Sequence, residues 1–348
     1  MKKINTYKRA VVLKTYCTDK KKRKIEALIY AYRSAVNFYL KYENLQLDKN
    51  NLALLQNTNL TERYKSNATK QAVSIQKSLK NKNTIVKFNG YPILDAKFIA
   101  IEQGNNTFDL WIKLSTLAKG KRILLPTKKH KRFNYWQQKG RLIQGCELHK
   151  DKVIVWFEVR KEQPKIGSSI GIDLGMNKFI TTSDGDFIGS NFRKIVDKIT
   201  RKKKNSKSYK CALKERDNFV NRCVNELDWG NIGVLFYENL KNLKQGKSRK
   251  RGRKFRNRQQ YWTYRKVINR IMEKSMENRV RSYFVDPRYT SQCCPSCKSI
   301  VASNRVNEEF RCLACGYEQD ADIVGATNVL CKGIDWISSL ESLNKKGN

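Results

Sequence analysis

The sequence predicts an α/β core joined to a small β-barrel that carries a helical insert, and three observations predict it. An apolar strand near residue 170 holds one aspartate between two glycines and turns back as a hairpin. Short strands separated by turn residues fill 84–162, and helical and strand periodicities alternate from 191 to 285. At 348 residues the chain exceeds one ordinary core and reads as two or three domains.

Charge narrows the class of partner. Lys and Arg number 72 against 31 Asp and Glu, a net +41 that predicts a polyanion. An RNA–DNA heteroduplex of roughly 20 base pairs carries about 40 phosphates, a better match than a small acidic ligand. A membrane surface is disfavoured, because the basic residues are spread along the whole chain and no apolar run approaches the roughly 20 residues of a span. Residues 1–16 are basic but lack the apolar centre of a secretory signal, so the cytoplasm is the expected compartment. The only histidines, His130 and His149, are too few for an HxH metal site or a compact His-metal nuclease motif.

Along the chain, 7–15 alternates weakly and predicts a strand. From Lys20, the residues Ile25, Leu28, Ile29, Tyr32, Ala35, Val36, Tyr39 and Leu40 mark one face of a helix. Helical sequence continues to about residue 79, broken by the Asn-rich stretch 48–59; its apolar residues serve packing, which leaves the exposed Lys and Arg for nucleic acid. TIVKF, AKFIAIE, TFDLWIKL, KRILLP and KVIVWFEVRKE then predict strands, and Gln163-Pro164 a linker.

In 168–186 (SSIGIDLGMNKFITTSDGD), Ile170 and Ile172 lead to Asp173, 179–182 forms the returning strand, and 183–186 turns. An ionised acid in such a strand must be paired, protonated or bound to a metal; the plainer alternative is an aspartate capping its own turn. The following stretch 191–210 holds nine Lys or Arg against the single acid Asp197, and 212–227 is an amphipathic helix. IGVLFY at 232–237 is a buried strand ending at Glu238, and 241–258 carries ten Lys or Arg and no acid. Helical periodicity returns over 261–276, and 280–285 is a strand. Each basic run alone reads equally as a solvated face; insertion between core strands favours contact with a nucleic-acid backbone.

Five of the ten cysteines are scattered and five cluster. Cys294 and Cys297, then Cys312 and Cys315 followed by Gly316, form two CxxC knuckles fourteen residues apart. They present four thiolates for one structural Zn²⁺, with no coordination position left for water. Cys293 is a spare thiol beside them. The acids form a second set: Asp173, Glu238, and Asp320 with Asp322, the last at the start of an amphipathic helix. A strand-end acid is commonly a cap or salt bridge. Three at the ends of core elements of a basic, histidine-poor chain fit a pair of Mg²⁺ ions for phosphodiester hydrolysis, with Mn²⁺ as a substitute.

These motifs, GIDLG at 171–175, FYENL at 236–240, YTSQCCPSC at 289–297, FRCLACG at 310–316 and DADIVGATNVL at 320–330, together resemble the RuvC-like nuclease core of the TnpB (OrfB) family. That family comprises insertion-sequence-encoded RNA-guided nucleases related to type V CRISPR effectors. The resemblance covers 166–331; the N-terminal half matches in layout only. It implies an RNase H-like RuvC domain over 166–290 and 320–348 with a zinc ribbon at 291–319. A wedge-like barrel over 1–19 and 84–165 would carry a recognition-like helical insert at 20–83. It further implies a guide RNA from the element's own end, recognition of a target-adjacent motif, and cleavage of double-stranded DNA, with no membrane or small-molecule partner. Asp173, Glu238 and Asp322 take the catalytic, magnesium-holding roles, and the protein is expected in the cytoplasm, on the nucleoid when bound to DNA.

Two departures from the family pattern stand out. Val324-Gly325 replace the usual Asn-Ala of the last motif, and Lys298 replaces the Gly common in the first knuckle. The expected nucleic-acid contacts are Lys202, Lys203, Lys204, Arg249, Lys250, Arg251, Arg253 and Lys254. The 241–258 loop is expected to engage single-stranded DNA with Tyr261, Trp262 and Tyr264 as stacking groups; core packing is the alternative, preferred for Tyr264. The competing function is a guided DNA-binding protein, repressor-like, that no longer cuts. A DDE transposase shares the RNase H-like fold, but the Asp, Glu, Asp order and the ribbon between the last two acids match RuvC-type enzymes.

Overall fold

A computed structural model describes residues 5–41, 60–79, 86–105, 107–118, 120–240 and 252–346. The chain divides into two units, Met1–Lys161 and Glu162–Asn348.

In the first unit the described elements are β1 (Thr6–Lys14), α1 (Asp19–Leu40), α2 (Glu62–Ser78), β2 (Ile93–Asp95), β3 (Ile99–Gln103), β4 (Leu110–Ser115), β5 (Arg122–Thr127), α3 (Lys131–Lys139), β6 (Gly140–Leu148) and β7 (Lys152–Arg160). The strands form two sheets, β1-β7-β6-β2 and β3-β4-β5. The apolar alternation of KVIVWFEVR explains the first: Val153, Val155, Phe157 and Val159 are buried while the strand pairs β1 in register from Thr6↔Arg160 to Lys14↔Lys152. A Thr15↔Thr127 bridge and the Gln144 side chain, accepting from the Ile101 N–H at 2.8 Å, link the sheets. The seven residues α1 buries are those its periodicity marks from Ile25 to Tyr39. On α2, Asn67 donates to the Tyr32 hydroxyl at 3.0 Å, and that hydroxyl donates to Gln71 at 2.7 Å.

Helix α3 and strand β6 are absent from the sequence expectation. The helix anchors through only Phe133 and Trp136, and β6 shifts register between Leu142 and Cys146, which breaks its alternation. The described part of TIVKF, 86–88, is not a strand. The Asn-rich stretch 48–59 lies outside the described residues.

The second unit contains β8 (Ser168–Asp173), β9 (Ile180–Thr182), β10 (Phe187–Ile188), α4 (Phe192–Thr200), α5 (Lys207–Glu226), β11 (Ile232–Glu238), α6 (Arg253–Tyr261), α7 (Tyr264–Glu277), β12 (Arg281–Val285), β13 (Arg305–Val306), β14 (Glu309–Arg311), β15 (Glu318–Asp320) and α8 (Ala321–Lys346). Its main sheet runs β10-β9-β8-β11-β12, antiparallel across β10, β9 and β8 and parallel across β8, β11 and β12. β11 is apolar on both faces because both are covered. Leu235 and Tyr237 pack with Val220, Val267 and Ile271, whereas Val234 and Phe236 pack with Val285 and Val329 of α8. The short sheet β13-β14-β15 lies between β12 and α8 in the chain. No described helix is long and apolar enough to cross a membrane.

Candidate metal centres

Strand pairing brings the first two acids together. β8 and β11 are parallel neighbours with Ile172 opposite Tyr237, so Asp173 and Glu238, one residue further on each strand, leave the sheet at the same carboxyl edge. A helix supplies the third. A methyl group on Gly171 would fall 2.2 Å from the Ala326 carbonyl oxygen and 2.6 Å from the Leu330 nitrogen, so α8 rests on bare strand backbone there. This contact sets the first turn of α8, with Asp322, over the end of β8. Gly325 faces Asp173: a Cβ there would lie 3.5 Å from its Cγ, an ordinary contact, while Val324 is wholly buried. The Val324-Gly325 departure therefore leaves the path to Asp173 open and costs about 1 kcal/mol of helix propensity.

Each acid has a different partner. Asp173 Oδ1 accepts from the Leu174 N–H at 2.9 Å, Glu238 Oε1 from the Thr290 hydroxyl at 2.5 Å, and Asp322 Oδ1 from Arg305 Nη2 at 2.9 Å. Burial, then the charges of Glu238 and Asp322, push Asp173 up to about 7 against the pull of the Leu174 N–H and Arg305. Burial also raises Glu238, against the Thr290 hydroxyl, Lys332 and Arg305. Asp320 is separate from this set. Its Oδ1 accepts from the N–H groups of Asp322 (3.0 Å) and Ile323 (3.3 Å), and its other oxygen pairs with Lys178, so it caps α8. Burial would raise Asp320, but Lys178 and the two N–H groups outweigh it and hold the carboxyl below its usual range.

Among the described residues, Arg305 bonds Asp322 and its charge also bears on Asp173 and Glu238, with Lys332 beside Glu238. Thr181, paired with Asp173 in register, has a buried hydroxyl with no hydrogen-bond partner among the described residues. Excess negative charge and an orphaned hydroxyl suit a hydrated divalent cation. The acids are spread more widely than the cysteines: among the described residues, only Cys294, Cys297, Cys312 and Cys315 bring their ligand atoms within 4.8 Å of one another.

In that cysteine set the Sγ atoms of Cys294 and Cys315 are 3.7 Å apart and those of Cys297 and Cys312 3.5 Å. The N–H of Cys315, with that of Ala314, holds the Cys312 thiol down to about 6 and favours the thiolate a zinc ion needs. The knuckles repeat one turn. Gly316 (φ +73°) donates its N–H to Cys312 O at 2.9 Å, and Lys298 (φ +63°) to Cys294 O at 3.0 Å. Glycine adopts this left-handed backbone freely, whereas Lys298 is strained in it. The spare Cys293 turns its sulfur to the carbonyls of Cys294 and Lys298, each at 3.7 Å.

Four residues at the acid centre escaped sequence reasoning. Arg305 sits in the spacer between the knuckles, where no motif marks it. Thr290 and Asn328 do lie inside quoted motifs; the Asn328 amide donates to the carbonyls of Thr290 (2.8 Å) and Cys293 (2.7 Å), tying α8 to the ribbon's entry. Lys332 donates to the carbonyls of Asp286 and Arg288. Both histidines are structural: His130 bonds the Val12 carbonyl at 3.0 Å and His149 bonds Glu147 at 2.9 Å.

Lys202, Lys203 and Lys204 are exposed in the turn between α4 and α5. Arg249, Lys250 and Arg251 lie outside the described residues, and Arg253 and Lys254 open α6. Of the three expected stacking groups, Trp262 is buried against Phe179 and Phe192, which corrects its assignment. The Tyr264 hydroxyl is committed to the Glu238 carbonyl, and Tyr261 meets Tyr209 edge-on.

Residues 264–329 match the family model described as Cas12f1-like, TNB domain. A CRISPR-associated endodeoxyribonuclease Cas12f1 from Sulfoacidibacillus thermotolerans is 40% identical over 79 residues, 22% of this chain and 19% of that one. A TnpB-like protein from Aquifex aeolicus is 30% identical over 206 residues, 56% of this chain and 58% of that one. The chain thus spans between about a fifth and three fifths of these curated relatives. A cryo-EM structure of a Cas12f1–sgRNA–target DNA complex superposes with a TM-score of 0.57 over 89% of this chain and 82% of that one, at 15% identity, a likeness of fold. The chain is similar to TnpB and Cas12f1 proteins, as its motifs indicate.

Proposed function

We propose that the chain is an RNA-guided DNA endonuclease whose RNase H-like RuvC core hydrolyses phosphodiesters with Mg²⁺. The observation that carries this reading is the convergence of Asp173, Glu238 and Asp322 at one end of the mixed sheet, where Asp173 is pushed up to about 7. Bound divalent ions would activate water and stabilise the leaving oxygen. Asp173 and Glu238 would hold them from rigid neighbouring strand ends, and Asp322 from the first turn of α8. Arg305 keeps Asp322 oriented and offsets part of the acids' repulsion. Cys294, Cys297, Cys312 and Cys315 would hold a structural Zn²⁺ that fixes the loop carrying Arg305.

The partners in this reading are a guide RNA from the element's own end and double-stranded target DNA. The relatives support it: one is named an endodeoxyribonuclease, and the superposed structure is a complex with sgRNA and target DNA. The net charge of +41 supplies backbone affinity and base pairing supplies sequence. We assign the wedge-like barrel to 1–19 and 84–165, the recognition-like insert to 20–83, the RuvC domain to 166–290 and 320–348, and the ribbon to 291–319. The exposed Lys202, Lys203 and Lys204 are assigned to the nucleic-acid backbone. The wider spacing of the acids supports a second reading, guided DNA binding without cutting.

Plasmid cleavage decides between them. The full chain, purified with RNA co-expressed from the flanking element, is expected to cut a matched plasmid with Mg²⁺, and Asp173→Ala to lower the rate at least about a thousandfold. Guided cutting that persists in the variant would sink the catalytic assignment. A parent that binds its target and never cuts establishes the second reading.

A further inference from the structure

Thr181 stands beside the acid centre, 1% exposed, and its hydroxyl has no hydrogen-bond partner among the described residues. Its place follows from the strand register. β9 runs antiparallel to β8 with Thr181 directly opposite Asp173, so the two side chains share one face of the sheet with Cβ atoms about 5 Å apart. The neighbours identify that face. Ile172 and Ile180 join the core that holds Val220 and Ile271, whereas Gly171 carries α8, so Thr181 and Asp173 face α8. Glu238 faces it too, because Phe236, two residues earlier on β11, packs with Val329 of that helix. Thr181, Asp173 and Glu238 therefore form one row across three strands.

A buried hydroxyl without a partner weakens a fold. It gives up the hydrogen bonds it makes to water in the unfolded chain, whereas a valine of the same shape gives up none. The row limits what can satisfy it. The Leu174 N–H occupies Asp173 Oδ1, and Oδ2 faces Gly325, where α8 presents no side chain. A partner here must donate to the hydroxyl oxygen and tolerate carboxylates on its other side. Water bound to a divalent cation does both, since its lone pair is on the ion and its two hydrogens are free to donate, and Mg²⁺ keeps several such waters.

We propose that Thr181 is a positioning residue of the acid centre, its hydroxyl accepting from a water in the shell of a divalent cation held by Asp173 and Glu238. Groups that hold a metal's surroundings in this way fix where the ion sits and commonly change its affinity ten- to a hundredfold. The assignment rests on the endonuclease reading for the cation itself. It sets two properties against each other: the hydroxyl weakens the metal-free sheet and strengthens ion binding.

The full zinc-loaded chain is unfolded in urea without other divalent ions, then titrated with Mn²⁺ followed by electron paramagnetic resonance, with no nucleic acid present. Both are done at about pH 8, above the range in which Asp173 takes up its proton. Asp173→Asn identifies the ion at the acid centre. Thr181→Val is expected to raise the urea midpoint and to weaken Mn²⁺ about ten- to hundredfold. Thr181→Ser, which keeps the hydroxyl, is expected to bind Mn²⁺ as the parent does. Unchanged Mn²⁺ affinity in Thr181→Val overturns the assignment, whatever its stability. A lower urea midpoint in Thr181→Val, or a Thr181→Ser that binds as weakly as the valine variant, marks a packing role and overturns it as well. So does a parent that binds no Mn²⁺ or whose binding survives Asp173→Asn. If the parent cuts plasmid and Thr181→Val binds Mn²⁺ normally, the role of Thr181 alone fails. If the variants behave as expected and no plasmid is cut, the endonuclease reading alone fails.

Discussion

The cysteine ribbon and the acid centre, each proposed above to hold cations, are assembled in opposite ways. The ribbon takes its four thiolates from one short segment whose two turns repeat the same backbone geometry, so its chemistry is local. The acid centre takes Asp173 from β8, Glu238 from β11 and Asp322 from α8, elements that meet only after the sheet has formed and the helix has docked. A local centre is fragile to the loss of a ligand. A non-local one is fragile to changes that leave every ligand in place.

The largest test of that contrast removes a thiolate. Cys312→Ser should lower zinc affinity at least about a thousandfold, given the 10 to 16 kcal/mol by which structural zinc is commonly held. Competition with a chromophoric chelator reads this directly, and an unchanged affinity would mean that the four sulfurs are not a metal site. Next, Gly171→Ala breaks the other centre without touching an acid. Its methyl meets backbone atoms of α8 at 2.2 and 2.6 Å, so the helix must lift; a loss of about 3 kcal/mol is expected in chemical denaturation, with zinc content intact. A variant as stable as the parent would show that α8 does not bear on the strand.

The third test is electrostatic. Asp173 sits at about 7 in the folded protein, above its unfolded value near 3.9, so the folded state binds the proton more tightly. Without Mg²⁺, stability should therefore fall as pH rises from about 4 through 7. Asp173→Asn escapes this and should exceed the parent by about 2 kcal/mol at pH 8, the gap closing by pH 4. Thermal melts of zinc-loaded protein across that range check it; a pH-independent gap would contradict the burial and repulsion assigned to Asp173. The smallest effect returns to the ribbon. Lys298→Gly relieves the left-handed strain at φ +63° and should stabilise by about 1 kcal/mol, seen as slower zinc release to chelator. No gain would mean that the Lys298 side chain contributes contacts that offset the strain.

The same contrast explains what could be read in advance. Cys294, Cys297, Cys312 and Cys315 announce a site through spacing alone, and Gly171, Asp173 and Gly175 mark a strand whose glycines invite close approach. Sequence cannot show that Asp320 caps α8 while Asp322, two residues on, faces Asp173, because one turn of helix decides between them. Arg305 was illegible for another reason: an arginine in a basic chain carries no signal until the fold sets it against a carboxylate. Trp262 was misjudged because an aromatic beside a basic run looks like a stacking group, whereas Phe179 and Phe192 claim it for the core. Strand β6 was hidden by its own register shift.

The bare contact between α8 and Gly171 also has a consequence in time. A ribosome delivers residues 173 and 238 well before 322, and at roughly 5 to 20 residues per second the interval is on the order of several seconds. During it the sheet can form with two acids side by side and no third. The set becomes complete only when the helix emerges and settles on the strand, so the growing chain keeps the centre unassembled while the rest of the unit folds around it.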